Sequence, residues 1–170
     1  MAERSFFILP ADPLYLPNET QRAAAVRFFQ EVSPLPNANG DYRVYVSDAP
    51  ELLDAGEALE AVICPECEAR IDLMHDEGDE WWSAVRSGGM GKDARTTMPC
   101  CGAEVAVLDL TFDEPSYFQR FAVGALEPSF SDPHWERSKH GFETGLTREA
   151  MDHFEKLIGC KIHQMWRIGY

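Results

Sequence analysis

Four of the five cysteines in this chain fall into two tight groups, Cys64-Pro65-Glu66-Cys67 and Met98-Pro99-Cys100-Cys101-Gly102. Cysteine does its chemistry as the thiolate, which is both nucleophile and metal ligand, so this spacing points to a metal site or to redox work. A redox C-x-x-C opens a helix after a strand and needs no second pair. Here Cys67 runs into Glu68-Ala69-Arg70-Ile71, and the second group follows after 32 residues. Buried cysteine also serves as a small hydrophobe, but two groups each flanked by proline favour metal. Cys160 is left over.

With those prolines, and with Gly102 closing the second group, the segment over residues 63–110 resembles a zinc ribbon. Knuckles of that family read Cys-Pro-x-Cys-Gly, a tight turn whose amides point at sulfur while two thiolates reach one tetrahedral ion. The resemblance implies a structural Zn2+ on Cys64, Cys67, Cys100 and Cys101. Two positions depart from the pattern: Glu68 stands where the first knuckle has glycine, and Met98 stands where the second has its first cysteine. A thioether is a poor zinc ligand beside thiolate. Adjacent Cys100 and Cys101 reach one ion only if the turn is bent, because consecutive side chains in a strand point to opposite faces. The other set open to the sequence is Cys64, Cys67 and Cys101 with His75, leaving Cys100 free. Four protein ligands close the coordination sphere, whereas catalytic zinc keeps a place for water, so the expected role is structural and the protein non-enzymatic.

The formal charge is −14. From Glu51 to Glu80 eleven acids face one base, Arg70, a net −10 in that stretch alone. Such a field repels nucleic acid and anionic lipid and attracts basic partners. The expected function is therefore a zinc-stabilised acidic protein-binding module, of inhibitor or immunity type, for a basic partner such as a toxin or nuclease. One alternative is a small metal-dependent hydrolase, which needs an open metal site with His75 or His134. The other is a nucleic-acid-binding ribbon, for which the only basic concentration lies near Arg137, Lys139, Lys156, Lys161 and Arg167.

Elsewhere the chemistry is thin. His134, Glu136 and His140 match no ligand spacing, and Pro133 and Gly141 oppose the helix that would align them. Trp81, Trp82 and Trp135 read equally as interface anchors or core fillers. No phosphate-cradling glycine motif and no Ser-His-Asp signature occur. The opening residues lack a signal-peptide core, and no segment approaches the ~20 apolar residues of a membrane span, so a cytoplasmic location is expected.

Positioning these cysteines falls to a single α+β domain over residues 1–170, with a small mixed or antiparallel sheet and two main helices. Phe6 to Leu9 reads as a buried strand. Asn18, with Gln21 three residues on, caps a helix whose Ala25, Phe28, Phe29 and Val32 form one stripe. The run from Ser33 to Gly40 stops it. Tyr42 to Val46 and Ala61 to Ile63 read as strands, and Asp79 to Arg86 as a turn or two of helix. Glu104 to Phe112 and Tyr117 to Leu126 read as neighbouring strands of one sheet, and Ser129 to Gly145 as an irregular loop. Thr147 caps a second helix with an Ala150, Phe154, Leu157, Ile158 stripe and a Gly159 stop, and Ile162 to Ile168 is a terminal strand.

Overall fold

The structure, a computed structural model, describes residues 3–34, 41–140 and 143–169. Its elements are β1 (Glu3–Pro10), α1 (Glu19–Val32), β2 (Asp41–Leu53), β3 (Ala61–Ile63), β4 (Arg70–Asp72), α2 (Asp76–Gly88), β5 (Arg95–Thr97), β6 (Glu104–Ala106), β7 (Thr111–Phe112), β8 (Tyr117–Leu126), β9 (Trp135–Arg137), β10 (Glu143–Leu146), α3 (Arg148–Ile158) and β11 (Ile162–Gly169). The class is α+β.

Four strands form an antiparallel sheet in the order β11-β1-β8-β2. The Phe6-Phe7-Ile8-Leu9 run is apolar at every position because β1 is covered on both faces. Phe6 and Ile8 pack with Phe29 of α1, Phe121 of β8 and Phe154 of α3. Phe7 and Leu9 pack on the other face with Leu53, Ala122 and Met165. β1 and β8 approach so closely at Gly124 that a Cβ there would lie 2.2 Å from the Phe7 ring. Only glycine fits that crossing.

The helices are set by the signals the sequence carries. Asn18 Oδ1 accepts from the Gln21 amide, and Gln21 Oε1 accepts from the Asn18 amide, a reciprocal cap that satisfies two otherwise orphan donors of α1. In α3 the Thr147 hydroxyl accepts from the Ala150 amide, and Gly159 takes the left-handed conformation at φ 88° that ends the helix. Their buried stripes, Ala25-Phe29-Val32 and Ala150-Phe154-Ile158, cover one face of the sheet.

The cysteines lie outside that sheet. β2 and β8 pair directly down to Leu53 opposite Tyr117, so residues 54–116 leave and return at one end of a single antiparallel pair. The Ala55 amide donates to the Ser116 hydroxyl at 2.9 Å across this neck. The inserted segment builds its own core from Val62, Ile71, Trp82, Val85, Met98, Val105, Val107 and Leu110. Around it stand the sheet β4-β3-β7, the hairpin β5-β6 and α2.

Four expectations are corrected. Tyr117 to Leu126 is a strand, but it pairs with β1 and β2 and not with the strands before it. The stretch from Glu104 to Phe112 is broken by a 3-10 turn over Val107–Asp109, so β6 joins β5 while β7 joins β3. Within Ser129 to Gly145, expected as irregular loop, β9 and β10 form a hairpin that buries Trp135. Its indole Nε1 donates to the Val32 carbonyl at 2.6 Å, so the polar residues around it mask one strong core anchor. A third helix, α2, is also longer than the turn or two expected. Of the run that stops α1, residues 35–40 lie outside the described residues.

Candidate metal centre

Two turns carry the cysteines, and they match residue for residue. In the first, the Cys64 amide donates to the Ala69 carbonyl at 2.9 Å and the Glu68 amide to the Cys64 carbonyl at 3.0 Å. In the second, the Met98 amide donates to the Ala103 carbonyl at 2.8 Å and the Gly102 amide to the Met98 carbonyl at 2.8 Å. Both have proline in second place, and both take positive φ in fifth place, 60° at Glu68 and 72° at Gly102. Position by position, Met98 therefore corresponds to Cys64, Cys100 to Glu66, and Cys101 to Cys67.

The correspondence explains the odd spacing of the second group. Met98 keeps the buried first position, fully excluded from solvent, and spends it on packing in the core of the insertion. A sulfur donor in the second turn must then come from its tip, and Cys100 supplies it. The bend needed to turn adjacent Cys100 and Cys101 the same way is the turn itself. The four sulfurs lie within 4.8 Å of one another. Cys64 Sγ is 3.8 Å from Cys101 Sγ, and Cys67 Sγ is 3.5 Å from Cys100 Sγ. Cys64 is buried; Cys67, Cys100 and Cys101 are exposed.

The electrostatics of the cluster are compatible with a cation. Burial pushes the Cys64 thiol up, but amide hydrogen bonds at Cys67 and Glu66, with the neighbouring sulfurs, outweigh it and bring it down to about 7. Desolvation and then the surrounding sulfurs push Cys100 up to about 12. For Cys101 the Ala103 amide and, more weakly, Cys100 favour the thiolate, yet desolvation with the Cys64 and Cys67 sulfurs leaves it raised. Without a cation, one thiolate is favoured and each further one is resisted by the charge already present. A divalent soft ion among four sulfurs removes that opposition, which is why the donor set fits such an ion.

Comparison with protein-family models, with curated proteins and with solved structures gave no match. The reading of the site therefore rests on its own geometry.

Among the described residues these four cysteines are the one group of three or more Cys, His, Asp or Glu side chains close enough to share an ion. His75 is not part of it. It precedes α2 with a side chain 83% exposed, and its Nε2 lies 3.8 Å from Asp72. His134 sits beside Phe28, with ring centroids 6.1 Å apart, while Glu136 and His140 are exposed. Cys160 is half-buried in another part of the molecule, and its thiol is pushed up to about 11 by burial, then by Asp12 and Glu155.

What surrounds the centre fixes the acidic segment. Trp82 and Val85 of α2 are buried and Trp81 is half-buried, its Nε1 donating to Thr96 Oγ1 at 3.1 Å and to the Thr97 carbonyl at 3.0 Å. That latch ties α2 to the residue immediately before Met98. Gly78 lets α2 lie against β4: a Cβ there would meet the Asp72 carbonyl oxygen at 1.8 Å. Arg70, the base of the acidic run, is taken up by Asp113 at 2.8 Å, Glu60 at 3.4 Å and Asp72 at 3.8 Å. Sequence reasoning missed this cluster, although a single arginine among eleven acids was its signal. Glu66, Glu68, Glu77, Asp79 and Glu80 remain exposed.

Proposed function

We propose that Cys64, Cys67, Cys100 and Cys101 hold one structural zinc ion in a zinc-ribbon-type clamp, and that the clamped segment is an acidic binding surface for a basic protein. The observation that carries the first half is the pair of matching turns bringing four sulfurs within 4.8 Å. Four thiolates fill a tetrahedral sphere, so the ion's work is to hold the ends of the 32-residue segment together and not to activate water. The second half rests on the charge of the run from Glu51 to Glu80, a net −10 that continues through the first cysteine turn into α2. The one base of that run, Arg70, is engaged by three carboxylates, and Arg86 stands in the last turn of α2, away from Glu77, Asp79 and Glu80 at its start, so the exposed acids of the first turn of α2 and of the first cysteine turn keep their field. A complementary field speeds encounter with a cationic partner and suits an inhibitor or immunity-type protein that covers a basic active site.

The direct test is metal content per chain for the wild type and for Cys100→Ala, Cys101→Ala and His75→Ala. One zinc is expected in the wild type and in His75→Ala, with loss in both cysteine variants. Retention in Cys100→Ala with loss in His75→Ala would overturn the ligand set. For the surface, Glu77→Lys, Asp79→Lys and Glu80→Lys together should abolish capture of basic proteins from native extract while zinc is retained. Capture of acidic proteins alone by the wild type would refute it.

A further inference from the structure

The two short sulfur contacts both run between the turns, Cys64 with Cys101 and Cys67 with Cys100, and not within either turn. This follows from Cys100 standing at the tip of the second turn, opposite Cys67, while Met98 fills the place facing inward. We propose that the centre is also a site of oxidation by hydroperoxides, at which the four thiolates close into two inter-turn disulfides, Cys67–Cys100 and then Cys64–Cys101. The inference rests on the zinc reading for what is released, and on the sulfur geometry alone for which bonds form.

The order follows from access. Cys67 and Cys100 are exposed and only 3.5 Å apart, whereas Cys64 is buried. A thiolate of the exposed pair attacks a peroxide oxygen, the O–O bond breaks, hydroxide leaves, and the sulfur becomes a sulfenic acid. The second thiolate attacks that sulfur, expelling hydroxide and forming the S–S bond, so two electrons pass from two thiolates to one peroxide. The Cys64–Cys101 pair repeats this with a second peroxide. In sum, four thiolates around Zn2+ and two molecules of hydrogen peroxide give two disulfides, free Zn2+ and four hydroxides.

The consequence is specific to this pairing. A disulfide within one turn would leave the 32-residue segment open, whereas inter-turn disulfides close it where the metal did. Oxidation then exchanges one clamp for another and leaves α2 presented, releasing zinc without unfolding the insertion.

The experiment uses the full chain with Cys160→Ser, reduced, zinc-loaded and assayed for zinc before any oxidant is added. Hydrogen peroxide is then titrated, free zinc is followed with a chromogenic chelator, and the product is digested with trypsin without reduction. Cleavage at Arg43, Arg70, Arg95 and Arg120 puts Cys64 and Cys67 in one peptide and Cys100 and Cys101 in another. The expected result is one zinc released per chain, a mass lower by four hydrogens than the reduced apoprotein, and the two peptides joined. The oxidised protein should also melt closer to the zinc-loaded form than to the chelated, reduced form. Separate peptides, each lighter by two hydrogens, or oxygen added to sulfur with no crosslink, would overturn the proposal. Absence of zinc at the start would refute the zinc reading while the peptide map still decides whether the disulfides run between the turns or within them.

Discussion

Stripping the metal with a chelator under reducing conditions opens the ring that Cys67 and Cys100 close, and the cost follows from the length of that ring. Closing about 34 residues by a crosslink restricts the unfolded chain by about 3.8 kcal/mol at 25 °C on the chain-entropy expression. In a chain of this size each kcal/mol moves the melting temperature by about 2–4 °C, so the midpoint should fall by roughly 8–15 °C. Trp81 and Trp82 lie in the insertion and Trp135 and Trp166 by the main sheet, so tryptophan emission and far-ultraviolet dichroism together show whether the insertion melts first. The assay is a thermal melt of the Cys160→Ser chain in excess chelator with a thiol reductant, followed by stoichiometric zinc. Recovery of the original midpoint on adding zinc, but not magnesium, is expected, because thiolates select the softer ion. A fall of less than 2 °C would refute the clamp, since the ring would then be held by its other contacts alone.

Three further outcomes follow from the same region. Gly102→Ala should lose about 1 kcal/mol to left-handed backbone strain alone, because nothing lies within 4 Å of the added Cβ, while Glu68→Gly at the matching position should be neutral or gain up to about 1 kcal/mol; urea midpoints check both, and a stabilising Gly102→Ala would break the correspondence of the turns. Gly78→Ala reverses the usual helix rule: alanine is normally better by about 1 kcal/mol inside a helix, but here it should cost about 1–3 kcal/mol through the clash with the Asp72 carbonyl, and a rise in urea midpoint would show that α2 is not seated on β4. Burial pushes the Asp113 carboxyl up, but the Ala61 amide, the Arg70 guanidinium and the Glu60 amide outweigh it and hold it below the ordinary range; its stabilisation is therefore present above the unfolded value of about 3.9 and is lost as pH falls through the lower folded value. Asp113→Asn should flatten the acid limb of the stability curve below about pH 4, and an unchanged slope would refute this assignment.

The sequence revealed those parts of the fold in which one local rule decides the outcome. Asn18 with Gln21, Thr147 and Gly159 mark helix ends because caps are made by residues three or four apart, and the stripes of α1 and α3 follow from helical period alone. Pairing was hidden. Nothing local tells Tyr117 that its partner is Leu53 and not the strand just before it, because that pairing is set by the sheet core formed with the chain ends. The hairpin β9-β10 was hidden by its composition: its contribution to the core is concentrated in Trp135 and Leu146, with polar residues between them. At the metal centre the cysteine pattern was legible down to its departures. What the sequence could not supply was the reason for Met98 and for Glu68. One became visible only when Met98 proved to be buried in a second core, the other only when the φ of Glu68 proved to match that of Gly102.

Under the proposed function, presentation of the exposed acids on α2 depends in part on the cysteine turns. The insertion is held at several places, among them the neck at Ala55 and Ser116, the turns at the sulfur cluster, Trp81 donating to Thr97, and the core that Trp82 and Val85 share with Phe118 of β8. The neck is anchored in β2 and β8, which belong to the main sheet, so it fixes where the insertion starts but not how α2 lies. The Trp81 latch fixes α2 against β5, and β5 leads directly into the second cysteine turn. Releasing the turns removes one support of β5, which keeps its pairing with β6. A binding surface that is ordered beforehand loses less conformational entropy on association than one that must order as it binds. Under the proposed function, metal in the cysteine centre would therefore strengthen recognition of a basic partner by ordering the surface beforehand.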